Sequence, residues 1–271
     1  NGQGAMPSFS WLSEEDIDIN FSGCINSCKN MRLVDLNCDM GEGIGNDELI
    51  MPLISSANIA CGSHAGNEGT IKRTIELALQ HNVAVGAHPS FNDKASFGRT
   101  EMHLSGPELY NIISEQIYLL DKIANECGAI LHHIKPHGAL YNMAAKSAAM
   151  SSAIAKAIKE FNAELVLYGL AGSRLIAEGE KAGLQTASEV FADRTYRDDG
   201  GLTPRSQNGA LIEDEERAIR QVLMMVEEQH VESATGKKIA IKTDTVCIHG
   251  DGQYAASFAK RINETLKKRS I

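Results

Sequence analysis

Between Ile130 and Tyr141 the chain reads ILHHIKPHGALY, an apolar start followed by His132, His133, Lys135 and His137, with Pro136 and Gly138 closing the run. An ammonium group among imidazoles can neutralise a developing oxyanion and move protons at neutral pH. Comparable groups recur along the chain. The segment DLNCDMGEG sends Asp35, Asn37 and Asp39 to one side if it alternates as a strand does. NIACGSHAGN offers Asn58, Cys61 and His64, and GAHPSFND offers His88 and Asp93. EVFADRTY carries Glu189, Asp193 and Arg194, and CIHGDG carries His249 and Asp251. Each has a plainer reading. One of His132 and His133 must face outward as a packed group, and His81 and His103 read as surface residues. Lys135 can serve only to pair a carboxylate, and Asp35, deep in its strand, suits a structural charge partner as well as a catalyst. Cys61 and Cys247 read as small buried hydrophobes.

What unites these groups is position, which depends on the elements that carry them. From Arg32 onward, apolar runs at 32–37, 57–61, 83–87, 129–134, 164–168, 185–190 and 243–248 read as strands, several ended by glycine. Segments of helical period lie between them. Residues 68–80 place Ile71, Ile75, Ala78 and Leu79 on one face. Ser105 with Glu108 forms a capping box for a helix that Gly128 ends. Residues 213–229 repeat Ile219, Val222, Leu223 and Val226 behind an acidic first turn, and the last helix carries Ala255, Phe258, Ile262 and Leu266. Strands alternating with helices imply a parallel sheet with right-handed crossovers. No GxGxxG follows the first strand, so a closed α/β barrel is expected ahead of an open doubly wound sheet. In such folds the carboxyl ends of the strands converge on one face, and the polar groups fall there.

Bulk composition narrows the function. Lys and Arg number 26 against 35 Asp and Glu, a net charge of −9, and aromatics are 5%. That balance disfavours nucleic-acid binding. No apolar run reaches the length of a membrane span, and no secretory leader is visible, so a cytoplasmic protein with reduced thiols is expected. The six cysteines show neither a disulfide framework nor a paired CxxC metal motif. Residues 1–30 lack a clear period and read as an appendage or expression-derived segment, with no role for Cys24 or Cys28. Residues 31–271 are expected to form one barrel domain.

The motifs VDLNCDMGEG, SANIACGSHAG, GAHPSF, FGRT, KPHGALYN, EVFADRTY and CIHGD, in this order, resemble the family of 5-oxoprolinase A subunits, also called LamB/YcsF. The resemblance runs from about Met31 to the C-terminus. It implies a seven-stranded parallel barrel of the polysaccharide-deacetylase type. The implied reaction is ATP-dependent opening of 5-oxo-L-proline to L-glutamate, performed with subunits B and C. Ser63, Asn67 and Glu68 stand where the family tends to read Phe, Asp and Pro. Ser96, Arg99 and Thr100 depart from the family's pattern after strand three.

ATP coupling suggests phosphorylation of the lactam oxygen, after which a water must be activated, an oxyanion stabilised and the leaving amine protonated. With no GxxxxGK[ST] loop, and GLAGSRLIAEGEK reading as a plain helix, nucleotide handling is expected to lie largely with the partner subunits. Asp39 or Asp193 is the expected general base, His64 and His137 are alternative proton carriers, and Lys135 stabilises negative charge. Arg99 or Arg194 is expected to clamp the substrate carboxylate. Asn37, Asn58, His88, Glu189, His249 and Asp251 complete the expected substrate contacts. If a divalent metal is present, Asp39, His64 and His88 are its expected ligands. A metal-dependent deacetylase or amidohydrolase of N-acylated sugars, and a non-catalytic lactam-presenting subunit, are the competing readings. A homo-oligomer is compatible with the sequence.

Overall fold

The computed structural model describes residues 33–249, 255–269 and 271. The appendage expected at 1–30, with Cys24 and Cys28, lies outside these residues, as does Asp251. Seven parallel strands close into a barrel: β1 (Asp35–Met40), β2 (Ser56–Ala60), β3 (Ala84–His88), β4 (Leu131–Ile134), β5 (Val166–Leu170), β6 (Gln185–Phe191) and, after the two-stranded ribbon of β7 (His230–Glu232) and β8 (Lys238–Ala240), β9 (Thr245–Ile248). Closure is made by β9, which pairs with β6 on one side and β1 on the other. All seven expected strands are present. The β7–β8 ribbon, turned at Gly236, is an addition to the seven expected strands.

The helices form where the caps say they should. Asn67 caps α2 (Glu68–Gln80), and the Ser105–Glu108 capping box opens α3 (Gly106–Glu126). Ser147, Ser173 and Asp214 cap α5 (Ala148–Phe161), α6 (Arg174–Lys181) and α7 (Glu215–Glu227) in the same way. The last helix is α8 (Ala255–Lys268). Two short helices, α1 (Asp47–Ile50) and α4 (Gly138–Ala144), come next in the chain after strands β1 and β4. No helix among the described residues is long and apolar enough to cross a membrane.

The core is a shell. Leu36, Cys38 and Met40 of β1, with Ala57 and Ile59 of β2, point outward and are buried in one apolar cluster with α-helical residues such as Ile71, Ile75, Ile113 and Ile117. The alternate residues point inward and are polar: Asp35, Asn37 and Asp39 on β1, Ser56 and Asn58 on β2, His88 on β3, His133 on β4, Glu189 on β6 and Thr245 on β9, all buried. Branched apolar side chains usually fill such barrels. Here hydrogen bonds do. This is why β1 runs through Met40, past the residue-37 boundary expected from hydrophobicity. Its inward carboxylates find partners inside the closed barrel. Gly86 belongs to the same device, since a Cβ there would lie 2.1 Å from His133 Nε2. Its absence lets the His133 ring cross the lumen to Asn58, 2.8 Å away, while it stacks on Tyr168 at 4.2 Å.

Candidate active site

Lys135 follows directly on β4, and its amide still donates to Ala87 O of β3 at 2.9 Å, so the side chain is held over the barrel axis. It is 2% exposed. Nζ lies 2.8 Å from Asp39 Oδ1, 2.8 Å from Glu189 Oε1, 3.2 Å from Asn37 Oδ1 and 3.1 Å from Cys247 Sγ. One ammonium thus ties together β1, β4, β6 and β9. Burial would push its pKa down, but the carboxylates of Asp39 and Glu189 outweigh that and hold it well above the ordinary lysine value. Burial likewise opposes ionisation of Asp39, yet His88 and Lys135 hold that carboxyl well below its usual range. Lys135 does pair carboxylates, in line with its plainer reading, and it does so facing a cleft.

Beneath this pair lies a frame. Asn58 Nδ2 donates to Asn37 Oδ1 at 2.8 Å and to Asp39 Oδ1 at 2.9 Å, and Asn37 Nδ2 donates to Thr245 Oγ1 at 2.6 Å. Tyr141, one helical turn beyond His137, donates to Glu189 Oε2 at 2.6 Å. Glu189 Oε1, fully buried, has the Lys135 ion pair but accepts no well-directed hydrogen bond. Cys247 touches the ammonium and is more than packing, although burial raises its pKa and keeps it a thiol. Cys61 fits its plainer reading, with Sγ against Ile59 O and its pKa pushed up to about 12 by burial.

A second cluster sits beside the first, where His64, His88 and His137 meet Glu42. His137 Nδ1 is 2.9 Å from His88 Nε2, His64 Nε2 is 3.1 Å from Glu42 Oε1, and Glu42 Oε1 is 3.5 Å from His137 Nδ1. The His64 and His137 rings stack with centroids 3.8 Å apart. Burial, then the neighbouring His88, lowers the pKa of both; that of His64 falls to about 3. The loop after β3 shapes this corner. Phe97 has φ +56, a left-handed conformation rare for a bulky residue, and its carbonyl receives His137 Nε2–H at 2.9 Å. Gly98 and Gly138 pack backbone to backbone there, since a Cβ on Gly138 would stand 2.5 Å from Gly98 O.

The third group lies across the mouth. His249 Nδ1 is 2.9 Å from both oxygens of Asp193, whose carboxyl, despite burial, is held below its ordinary pKa by His249. Arg194 is turned into the wall: its Nη2 donates to Thr203 O at 2.6 Å and its Nε to Ala210 O at 3.4 Å, and burial lowers its pKa to about 10. Two of its three guanidinium nitrogens therefore hold the 203–210 loop. Arg99 lies over the Phe97 ring at 5.2 Å.

One cleft joins all three groups, lined by Asp39, Glu42, His88, Phe97, Arg99, Lys135, His137, Tyr141, Phe191, Arg194, Arg205 and His249. A broader cleft shares Arg99, Arg194 and Arg205 with it and adds Lys146 and Arg197. Asp39, His88, Arg99, Lys135, His137, Arg194 and His249 thus reach one cleft, as the strand-end reading expects. Asn37, Asn58 and Glu189 stand behind Lys135, His64 stands behind His137, and Asp193 reaches the cleft through His249. Glu42, Phe97, Tyr141, Phe191 and Arg205 are among the cleft residues that sequence reasoning does not single out. Glu42 carries a signal, a carboxylate between glycines directly beyond the end of β1. Arg205 carries none. Two donor sets of the described residues converge closely enough to hold a cation, Glu42 with His64, His88 and His137, and Asp39 with Cys247 and His249.

Similar proteins agree with this architecture. The chain is 52% identical over 246 residues to the A subunit of 5-oxoprolinase from Tolumonas auensis, covering 89% of this chain and 98% of that one. It is 52% identical to the protein of the same name from Geobacillus thermodenitrificans, over 89% and 96% of the two chains. The crystal structure of a lactam utilization protein from Thermus thermophilus superimposes with a TM-score of 0.81 at 44% identity, covering 87% of this chain and 96% of that one. The LamB/YcsF family profile matches residues 34–271, and this chain belongs to the LamB/YcsF family.

Proposed function

We propose that this barrel is the lactam-handling subunit of a cytoplasmic, ATP-dependent 5-oxoprolinase, opening 5-oxo-L-proline to L-glutamate together with subunits B and C. The observation that carries the reading is Lys135, buried between two carboxylates and aimed at a cleft whose rim bears Arg99 and Arg205. The names borne by relatives at about half identity support the substrate. A lactam needs apolar walls for its ring and cationic groups for its carboxylate. Phe97 and Phe191 supply the first, and Arg99 with Arg205 the second.

In this scheme the lactam oxygen, phosphorylated by ATP, faces the Lys135 ammonium, which offsets the negative charge of the phosphoryl group while water adds to the ring carbon. Asp39, held ionised by its neighbours, is a weak base and serves chiefly to keep Lys135 charged and placed. The proton work falls to His249, oriented by Asp193 in the manner of a carboxylate–imidazole pair. His249 takes a proton from the attacking water and returns it to the ring nitrogen as the C–N bond breaks. This leaves a γ-glutamyl phosphate, and a second water cleaves that acyl phosphate to glutamate and inorganic phosphate. The basic side of the broader cleft gives a phosphorylated intermediate a way in from the subunit that makes it.

Release of glutamate and ADP from 5-oxoproline and ATP, assayed with the candidate B and C proteins and with each omitted, tests the proposal. Release in equal amounts, dependent on this chain, is expected. Full turnover without this chain, or nucleotide-free turnover of an acetylated sugar by this chain alone, would overturn it.

A further inference from the structure

We propose that Glu42, His64, His88 and His137 form a binding site for one divalent transition-metal ion, with zinc the fitting case. The inference does not depend on the lactam reading. It comes from where the ring hydrogens go. His88 Nδ1 lies 2.7 Å from Lys135 O and must donate to it. His137 Nε2 lies 2.9 Å from Phe97 O and must donate as well. Ser90 gives its hydroxyl hydrogen to Phe91 O at 2.9 Å, so His64 Nδ1, 3.0 Å from Ser90 Oγ, donates to that oxygen. Each ring has one hydrogen to give when neutral, and each gives it outward. The inward atoms, His64 Nε2, His88 Nε2 and His137 Nδ1, are then lone pairs.

These lone pairs face other acceptors. His88 Nε2 meets His137 Nδ1 at 2.9 Å and Asp39 Oδ2 at 3.3 Å, and His64 Nε2 meets Glu42 Oε1 at 3.1 Å. Acceptors at such distances repel unless a positive charge lies between them. Two further protons would serve, one in each pair, at the cost of placing two charged imidazoles side by side in one buried cluster. A single divalent cation brings the same charge and satisfies the ligand atoms together.

The donor chemistry fits. Neutral imidazoles with one carboxylate suit zinc and its first-row neighbours. Ligand atoms around a four-coordinate zinc stand about 3.3 Å apart, and the observed separations of 2.9, 3.1 and 3.5 Å bracket that value. Each ring also has the outer partner that metal-bound imidazoles favour, here Lys135 O, Phe97 O and Ser90 Oγ. His64 and His137 stack at 6°, so capture of the ion draws one ring out of that stack. Asp39 stays with Lys135 and approaches the ion's place through Oδ2. The donors differ from the Asp39–His64–His88 trio expected from sequence by bringing in Glu42 and His137.

Binding is read directly. The chelator-stripped full chain is titrated with Co2+ followed by its visible absorption, then with Zn2+ in competition. One Co2+ per chain with bands of a low-coordinate site, displaced by Zn2+, is expected. His88→Gln and His137→Gln should weaken binding about 100-fold or more, and Ser90→Ala about 10-fold, through the outer partner alone. Cys247→Ser should leave the affinity within about threefold. Thermal melts of each variant separate lost ligation from lost fold. Three results would overturn the assignment: no saturable Co2+ binding by the folded wild-type chain, binding unchanged in both histidine variants, or a thiolate charge-transfer band abolished by Cys247→Ser.

Discussion

The floor and the mouth of the barrel are built from the same strand in the same direction, yet they behave differently. At the floor, Asp35 accepts from Ser55 Oγ at 2.5 Å, Ser56 Oγ at 2.8 Å and Thr245 Oγ1 at 2.5 Å, so hydroxyl donors meet both oxygens. Four residues later, also pointing inward, Asp39 shares the Lys135 ammonium with Glu189 and stands 3.3 Å from a histidine nitrogen. Acceptors crowd the mouth. Burial of polar groups therefore does not mark a site by itself. A balanced set of donors and acceptors is a scaffold, while an excess of acceptors around one cation is held ready for a ligand, a proton or an ion.

Removing the cation tests the mouth most severely. Lys135→Met leaves Asp39 and Glu189 buried without their partner, a loss of about 3–5 kcal/mol in stability. Turnover of the reconstituted complex should fall about 100-fold or more. Adding Glu189→Gln to that variant should recover part of the stability, read by urea unfolding, and none of the rate. A near-normal rate would remove Lys135 from the chemistry. At the floor, Asp35→Asn should cost about 1–3 kcal/mol through weakened hydrogen bonds and leave kcat/KM within about threefold. A rate loss there as large as at Lys135 would erase the distinction between the two ends.

The mouth is more legible in the sequence than the floor. Strand-end motifs such as KPHGALYN and CIHGD announce themselves because Lys, His and Gly are out of place in an apolar run. Asp35 shows only that it needs a partner, and the hydroxyls of Ser56 and Thr245 do not show that they supply it until closure puts β1, β2 and β9 side by side. For the same reason hydrophobicity ends β1 three residues early, crediting its polar half to a loop. Glu42 and Arg205 escape because they lie beyond strand ends, where only the folded loops decide which way a side chain faces. Cys247 reads as packing by its type, and only its register on β9 brings it to Lys135.

The pH response sharpens the comparison within the lumen. His133 is fully buried, and burial first, then His132 and Lys135, holds its pKa well below the ordinary value; burial also lowers that of His132. A folded pKa below the unfolded one means the unfolded chain binds protons first as acid is added. Stability is therefore whole above the unfolded value of about 6.5 and falls as pH drops below it. The His133 ring contributes a loss of about 1 kcal/mol between pH 6.5 and 5.5, and His132 adds to it in the same direction. Asp39, whose folded pKa is depressed, acts lower: its contribution is present above about pH 3.9 and is lost as pH falls through its folded value. Urea midpoints across this range should decline, and His133→Gln should flatten the slope by one proton. A flat profile in the wild type would show that the His133 ring takes up its proton as readily in the folded chain as in the unfolded one.

The smallest effect belongs to a polar residue beyond the end of β2. Asn67 stands where the family tends to read Asp, a departure that looks functional three residues after His64. Its Oδ1 accepts from Thr70 N at 3.0 Å and from Thr70 Oγ1 at 3.3 Å, which makes it the N-cap of α2 on the exposed surface. Asn and Asp cap about equally well, and the carboxylate adds a favourable interaction with the helix N-terminus of about 0.3–1 kcal/mol. Asn67→Asp should thus raise the melting temperature slightly and leave kcat/KM unchanged. A clear change in rate would place Asn67 among the groups of the mouth, and donor–acceptor balance would then no longer separate the scaffold from the site.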